Sequence, residues 1–295
     1  MIEVNGLTLV YPSGKGVFDV DFKVKQGEVL GYLGPNGAGK TTTIRALLGF
    51  MAPDKGSCTI NGLDCWKQAP QIQKSLGYIP GEITFLDSMN GDEFLRFMCD
   101  MRGTKDYTRQ KQLIDRFELD TKGRIKKFSK GMKQKVGIVT AFMHDPDILI
   151  LDEPTSGLDP LMQNRFVELI LEEKKRGKTI LMSSHMFEEV ERTSDTVLII
   201  KDGRLVKQSD VQSLKESQRK CYIVKPRDMQ EAHGILTSAG FEVQQAEGDS
   251  LEVYIKGESV DRFLKTIAQF TVQKLDVKSQ SLEDIFMHFY NKEGK

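Results

Sequence analysis

The chain has 295 residues, in which 42 Lys and Arg residues balance 42 Asp and Glu residues. This length gives room for one large α/β domain with a small appendage, or for two ordinary domains, and either can bury a core without disulfides or a structural metal. The balanced charge offers no bulk attraction to nucleic acid or to anionic lipid. The four cysteines are scattered without a CxxC pair, so we expect reduced thiols and no zinc site.

The sequence also lacks the usual signals for entering a membrane. The first residues, MIEVNGLTLVYPSG, do not contain a basic region followed by an apolar stretch, as a secretory signal does. No segment approaches the roughly 18 uninterrupted apolar residues of a membrane-spanning helix. We therefore expect the chain to reach a membrane only through a partner.

Strands open the chain and then alternate with helices. Alternating apolar patterns predict the first strands, at 2–4, 7–11, 17–24 and 28–33. Helical and strand patterns follow at 42–51, 76–80, 91–102, 107–119, 131–144, 148–152, 160–176 and 179–183. Strands separated by helices predict an α/β fold with a mostly parallel sheet, preceded here by antiparallel N-terminal strands.

Two dipeptides mark boundaries between elements. Asp159-Pro160 is typical of a helix start, because Asp caps the first turn and Pro at the first helical position loses no useful N–H. Asp202-Gly203 lies between strands predicted at 197–200 and 204–206, and it has the form of a type I′ hairpin turn.

After about residue 211 the chain becomes charged and polar, which is typical of a linker or an exposed helix. The predicted order beyond it is strand, helix, strand, strand, helix, strand, at 221–224, 229–239, 241–246, 251–254, 259–269 and 272–277. This βαββαβ order is ferredoxin-like. A last helix is predicted at 282–290, after Ser281. We expect one domain at 1–215 and a small α+β domain at 216–295.

A glycine-rich loop carries the strongest chemical signal. The segment GPNGAGKT lies between an apolar strand and a helix and matches G-x-x-x-x-G-K-[ST]. Its glycines let successive backbone N–H groups turn toward one point, which forms an anion nest at a positive helix end. Lys40 reaches the β and γ phosphates, and the Thr41 hydroxyl can hold Mg²⁺. The predicted phosphate-binding residues are Gly34, Pro35, Asn36, Gly37, Ala38, Gly39, Lys40, Thr41 and Thr42.

Two acids follow the apolar run at 148–151. A buried strand would carry Asp152 and Glu153 to its carboxyl end, where α/β sheets bind ligands. Asp152 would complete a magnesium shell, and Glu153 would orient or deprotonate the attacking water. A strand that ends in two acids is common, and only the phosphate loop in the same chain makes the functional reading dominant.

Further matches, in the expected order, resemble the ATP-binding subunit of ABC transporters. Tyr11 resembles the aromatic residue that stacks on adenine, with Val17 nearby. The FSKGM segment at 128–132 occupies the place of the signature loop, with Ser129, Lys130 and Gly131 as candidate contacts to ATP. The SGLD segment ending at Asp159 resembles the one that crosses to the opposite subunit. His185 resembles the switch histidine that contacts the γ-phosphate.

The resemblance implies ATP and Mg²⁺ as cofactors and a dimer in which two subunits sandwich ATP. The dimer would be a homodimer or a heterodimer with a second ABC ATPase subunit. The resemblance also implies a membrane-spanning permease partner and a place at the cytoplasmic face of the membrane. The balanced charge gives no basic footprint, so we expect no nucleic-acid partner. The C-terminal segment at 281–286, SLEDIF, is similar to exporters of the daunorubicin- and bacitracin-resistance type.

Two segments depart from the family pattern. The usual LSGGQ signature is FSKGM here, so Lys130 replaces a glycine and Met132 replaces the glutamine. Its ammonium group either adds positive charge beside the γ-phosphate or is solvated. Gly81 stands where the family commonly has a glutamine that contacts magnesium, and the neighbouring Glu82 is a candidate substitute.

Two other functions compete with transport. A soluble ABC ATPase that acts on ribosomes or DNA usually carries two ATPase domains or a long coiled-coil insertion, whereas this chain has one phosphate loop and a short segment between Glu82 and Phe128. A sensor that binds ATP without turnover is disfavoured by Glu153 and His185, whereas the departure at Gly81 favours it.

Overall fold

The computed structural model describes residues 1–85, 88–103, 105–213, 220–246, 248–255 and 260–278. The chain divides into two compact units, Met1–Ser209 and Asp210–Lys295. The helix predicted at 282–290 lies outside the described residues.

The first unit contains ten strands, seven α-helices and one short 3₁₀ helix within the described residues. In chain order they are β1 (Ile2–Val10), β2 (Gly16–Val24), β3 (Val29–Leu33), α1 (Lys40–Leu47), β4 (Lys55–Ile60), β5 (Leu63–Asp64), α2 (Ala69–Lys74), β6 (Leu76–Ile79), α3 (Gly91–Arg102), α4 (Thr108–Arg116), the 3₁₀ helix (Ile125–Lys127), α5 (Lys130–Phe142), β7 (Ile148–Asp152), α6 (Pro160–Lys175), β8 (Thr179–Ser184), α7 (Phe187–Thr193), β9 (Thr196–Lys201) and β10 (Arg204–Asp210).

The N-terminal strands form an antiparallel sheet in the order β2-β1-β4-β5. The strands predicted at 2–4 and 7–11 are one strand, β1, because an irregularity between Val4 and Leu7 continues the pairing with β2. Gly6 supplies the turn in this irregularity with a φ of 55°. The predicted antiparallel N-terminal sheet is thus confirmed.

The central sheet has the order β10-β9-β3-β8-β7-β6. The pairs β3–β8, β3–β9, β6–β7 and β7–β8 are parallel, and every residue of β3, β7 and β8 is buried. Asp152 lies opposite Ser183, and Leu33 lies opposite Ser184. Because parallel strands end at the same edge, the phosphate loop and the residues after β7 and β8 meet there.

Both predicted boundary signals are confirmed. Asp159 caps α6 by accepting a hydrogen bond from the Met162 amide at 3.0 Å, and Pro160 opens the helix. Asp202 and Gly203 have φ values of 48° and 76°, as a type I′ turn between β9 and β10 requires.

Several short elements were absent from the predicted set. They are β4, β5, α2, α7 and the 3₁₀ helix, none longer than seven residues. The helix predicted at 42–51 runs from Lys40 to Leu47, since it starts directly after Gly39 and the chain turns at Gly49 with a φ of 69°.

The second unit has the predicted βαββαβ order. Its elements are β11 (Lys220–Pro226), α8 (Met229–Ser238), β12 (Glu242–Ala246), β13 (Ser250–Ile255), α9 (Val260–Ile267) and β14 (Val272–Lys278). The strands form an antiparallel sheet in the order β12-β13-β11-β14. Phe263, Leu236 and Val253 are fully buried in its core.

No helix in the described part of the chain combines the length and the apolar character needed to cross a membrane.

Candidate active site

The phosphate loop adopts a left-handed backbone conformation that favours glycine at two of its positions. Gly37 and Gly39 have φ values of 82° and 112°. A Cβ atom at Gly39 would stand 2.6 Å from Val17 Cγ1, so the loop packs directly on the buried Val17. α1 begins at Lys40, and its free N–H groups therefore start at this loop.

Lys40 is almost fully buried, with 6% of its surface exposed. Its ammonium group donates hydrogen bonds to the carbonyl oxygens of Gly34 at 2.6 Å and Pro35 at 3.3 Å. The same nitrogen lies 3.3 Å from Glu153 Oε1. Lys40 thus joins the phosphate loop to the acid predicted to act on water.

Asp152 is fully buried at the end of β7 and is held by two hydroxyl groups. The Thr41 hydroxyl donates to Asp152 Oδ2 at 2.8 Å, and the Ser183 hydroxyl donates to Asp152 Oδ1. Carboxylate and hydroxyl oxygens are the ligands that Mg²⁺ prefers. The oxygen set of Thr41 and Asp152 therefore fits Mg²⁺.

Glu153 and His185 face each other across the edge of the sheet. His185 Nδ1 lies 2.5 Å from Glu153 Oε2. The Glu153 backbone has a φ of 49°, a left-handed conformation that costs a non-glycine residue roughly 1–3 kcal/mol. The Glu153 amide donates hydrogen bonds to the carbonyl oxygen of Ser183 at 3.1 Å and to its hydroxyl oxygen at 3.2 Å.

Two segments predicted to face a second subunit touch each other within this chain. Ser129 caps α5 by accepting a hydrogen bond from the Met132 amide at 3.2 Å. A Cβ atom at Gly131 would stand 2.7 Å from the Gly157 carbonyl oxygen. The aliphatic part of the Lys130 side chain packs against Gly157. A Cβ atom at Gly157 would stand 2.9 Å from Lys130 Cγ. The Lys130 residue as a whole is exposed.

The remaining predicted residues occupy less direct positions. Tyr11 follows β1 and is partly buried; its hydroxyl lies 3.3 Å from Met51 Sδ and accepts from Arg45 Nη1 at 3.0 Å. Val17 lies in the core beneath the phosphate loop. The Asp159 side chain caps α6.

Gly81, where the family commonly has a glutamine, lies beside Asp152. A Cβ atom at Gly81 would stand 3.1 Å from Asp152 Oδ2, so this residue borders the candidate metal site. Glu82 is exposed and has no hydrogen bond or ion pair with another described residue. Burial and the nearby Asp152 carboxylate raise the pKa of Tyr78 to about 12, so Tyr78 stays neutral beside the site.

Sequence reasoning missed several residues that support the site. Gln134 is buried on α5 and donates to the Pro154 carbonyl oxygen at 2.7 Å. Ser183 binds Asp152, and Glu189 accepts from Ser184 and Thr155. Ser183 could have been found from its place at the end of a buried strand. Glu189 lies on α7, which the sequence patterns did not predict.

Comparison with known proteins gives a consistent match. A family model described as ABC transporter matches residues 17–156. The ABC transporter ATP-binding protein NatA of Bacillus subtilis strain 168 is 40% identical over 211 residues, which cover 70% of this chain and 86% of NatA. The bacitracin transport ATP-binding protein BcrA of Bacillus licheniformis is 34% identical, with 97% of this chain and 96% of BcrA covered.

Solved structures agree with these relatives. An ATP-binding subunit of an ABC transporter superposes with a TM-score of 0.67 at 33% identity, covering 73% of this chain and 92% of that one. A dimeric bacterial ABC transporter cassette superposes with a TM-score of 0.66 at 20% identity, covering 72% and 99% of the two chains. At that identity the second match shows the shared fold alone.

Proposed function

The chain belongs to the ATP-binding proteins of ABC transporters and hydrolyses ATP to ADP and phosphate, and from this premise we propose that it powers a separately encoded permease. The proposed cargo of that permease is a drug, an antimicrobial peptide or a similar amphipathic molecule, moved outward. Similarity to BcrA, a bacitracin transport protein, supports this direction, because it covers 97% of the chain and so includes the second unit. Linearmycin resistance protein LnrL of Bacillus subtilis strain 168 is 34% identical over 211 residues.

The observation that carries the catalytic proposal is the pairing of Glu153 with His185, with Lys40 3.3 Å from the same carboxylate. Glu153 orients the attacking water and accepts its proton, and His185 fixes the carboxylate that does so. Lys40 and the loop amides bind the β and γ phosphates. Mg²⁺ bound at Thr41 and Asp152 would neutralise charge that develops on the phosphate oxygens.

Dimerisation completes the proposed site. Ser129, Lys130 and Gly131 present a capped helix start to an ATP that a second subunit holds. The second subunit is another copy of this chain or a related ABC ATPase. We place the assembly at the cytoplasmic face of the membrane, bound through the permease, without a nucleic-acid partner. Closure around two ATP molecules and opening after hydrolysis would drive the permease.

The central experiment replaces Glu153 with glutamine. Binding of a fluorescent ATP analogue should persist, while turnover falls by about 10²–10⁴-fold. Glu188→Gln is the matched control, because that acid lies on the surface with its side chain 83% exposed. Lys40→Ala should instead weaken binding of the analogue itself. Turnover of Glu153→Gln within a factor of two of the parent would show that Glu153 does not act on the water.

The permease proposal has its own test. The reading frame beside the gene should encode a protein of about 200–300 residues with roughly six apolar segments of ~20 residues. Co-expression of that protein should hold this chain in the membrane fraction and stimulate its ATPase activity. A chain that remains in the supernatant, with unchanged activity, would contradict the proposal.

A further inference from the structure

Glu189 lies on α7 and does not belong to the residues assigned to ATP or Mg²⁺ above. Its Oε2 atom accepts hydrogen bonds from the Ser184 hydroxyl at 2.9 Å and from the Thr155 hydroxyl at 3.2 Å. Ser184 immediately precedes His185, and Thr155 comes shortly after Glu153. One carboxylate oxygen therefore ties together the two segments that carry the catalytic pair.

The segment after β7 needs such support. The left-handed φ of 49° at Glu153 persists only where the surroundings hold it. Gln134 holds one side through the Pro154 carbonyl oxygen at 2.7 Å, and Ser183 holds the Glu153 amide. The bonds to Glu189 form a third tie, which also fixes the hydroxyl of Ser184 beside His185.

The surroundings of Glu189 are consistent with a role that depends on its oxygen atoms. Glu189 is 5% exposed. Burial is the main cause that raises the pKa of its carboxyl group to about 7, and the charge of Glu153 also raises this pKa. The two hydroxyl groups and His185 lower it. Its Oε1 atom has no hydrogen-bond partner among the described residues. Glu189 lines a cavity of about 150 Å³ between α6 and α7, with Glu188 and Arg192 as its other ionisable neighbours there. The α6 side of that cavity contributes Pro160, Gln163, Asn164 and Val167, none of which titrates.

We propose that Glu189 is a positioning residue for ATP hydrolysis, which holds Glu153 and His185 in contact through Thr155 and Ser184 without touching the substrate. The inference rests on the proposed roles of Glu153 and His185. A shift of about 1 Å in a catalytic group can cost roughly 10²-fold in rate, so loss of this tie should affect turnover and leave the phosphate loop unchanged.

The test compares Glu189→Ala with Glu189→Gln in the full chain, by steady-state ATPase kinetics and by binding of a fluorescent ATP analogue. Alanine removes the acceptor, so kcat should fall about tenfold or more, while KM and analogue affinity stay within about twofold. Glutamine keeps an oxygen that can accept both hydroxyl bonds and should retain at least about a third of kcat. Glu188→Ala, on the same helix but exposed, should behave as the parent.

Three results would overturn the proposal. One is a Glu189→Ala kcat within twofold of Glu188→Ala. The second is a parallel loss of kcat and of analogue affinity in Glu189→Ala. The third is an equal loss of kcat in Glu189→Ala and Glu189→Gln. The second and third results would each indicate a structural role alone. If Glu189→Ala does not fold, Ser184→Ala and Thr155→Val decide, because each should lower kcat at least about threefold; unchanged kcat in both would also overturn it.

The same assay separates this proposal from its premise. Full turnover in Glu153→Gln would refute the role of Glu153 itself. Loss of turnover in Glu153→Gln together with a fully active Glu189→Ala would refute only the positioning role.

Discussion

Replacing Glu189 with glutamine should stabilise the protein at pH 8 far more than near pH 4.5. The Glu189 carboxyl has a pKa of about 7 in the folded chain, raised chiefly by burial from an ordinary value of 4.5. Between these pH values the folded chain holds a proton that the unfolded chain has released, so the free energy of unfolding falls as pH rises. The contribution is fully present below pH 4.5 and is lost as the pH passes through about 7.

The size of the effect follows from the two pKa values. Each tenfold difference in proton affinity is worth about 1.4 kcal/mol, so the interval from 4.5 to about 7 corresponds to about 3 kcal/mol at pH 8. At pH 5 the same relation gives less than about 1 kcal/mol. Glutamine does not titrate, so the stability difference between the variant and the parent should grow by about 2 kcal/mol between pH 5 and pH 8. For a domain of this size that is about 4–8 °C in Tm.

Trp66 provides the readout. It is the only tryptophan of the chain and belongs, with Glu189, to the first unit. Its fluorescence during thermal and urea unfolding at pH 5 and pH 8 therefore reports on the unit that contains the buried acid. Glu188→Gln removes an exposed acid from the same helix and should show no such pH dependence. If the free energy of unfolding differs between Glu189→Gln and the parent by the same amount at both pH values, within about 0.5 kcal/mol, the reasoning is refuted.

Two further predictions concern the departure from the family pattern and the second unit. If Glu82 replaces the missing glutamine, Glu82→Ala should lower ATPase activity and its stimulation by the permease. Gly81→Gln should then be tolerated or mildly activating, because it restores the family's glutamine at a position whose Cβ would border Asp152, 3.1 Å from Oδ2. Unchanged rate and magnesium dependence in Glu82→Ala would make Glu82 a surface acid. A chain ending at Gln218 should still bind ATP but should dimerise less readily or lose part of its permease-stimulated ATPase activity. Sedimentation of its Glu153→Gln form with ATP measures the dimer fraction, and the shortened chain with Glu153 intact gives the stimulated turnover. An unchanged dimer fraction together with unchanged stimulated turnover would exclude a role for the second unit.

The fold followed from the sequence wherever long apolar periods coincide with clear boundary residues. β7 and α3 have the predicted bounds, Ile148–Asp152 and Gly91–Arg102. Both have strong local signals, a fully apolar run before two acids in β7 and an Asn90 capping box at the start of α3. At six and seven residues, α2 and α7 span fewer than two full helical turns, which is too short to show a repeated apolar period, and packing against the sheet decides their conformation.

The site was predictable only in part, for a different reason. Lys40, Thr41, Asp152 and Glu153 follow from motifs within single segments, and the structure brings their side chains together. Contacts between distant segments leave no local pattern. The partnership of Ser183 with Asp152 depends on the register of β7 and β8, which one sequence does not specify.

The two carboxylates beside β7 and β8 differ in their partners, and that difference divides their roles. Glu153 contacts the ammonium group of Lys40 at 3.3 Å and the ring of His185, so its charge is compensated at the edge of the sheet where phosphate binds. Within the described part of the chain, Glu189 accepts hydrogen bonds from neutral hydroxyl groups alone, and burial disfavours its charged form. A carboxylate at the edge of the sheet, beside the phosphate loop, is placed to act on the attacking water. One enclosed by hydroxyl groups from two loops is suited to holding those loops, which is why substitution of Glu153 should abolish turnover and substitution of Glu189 should weaken it.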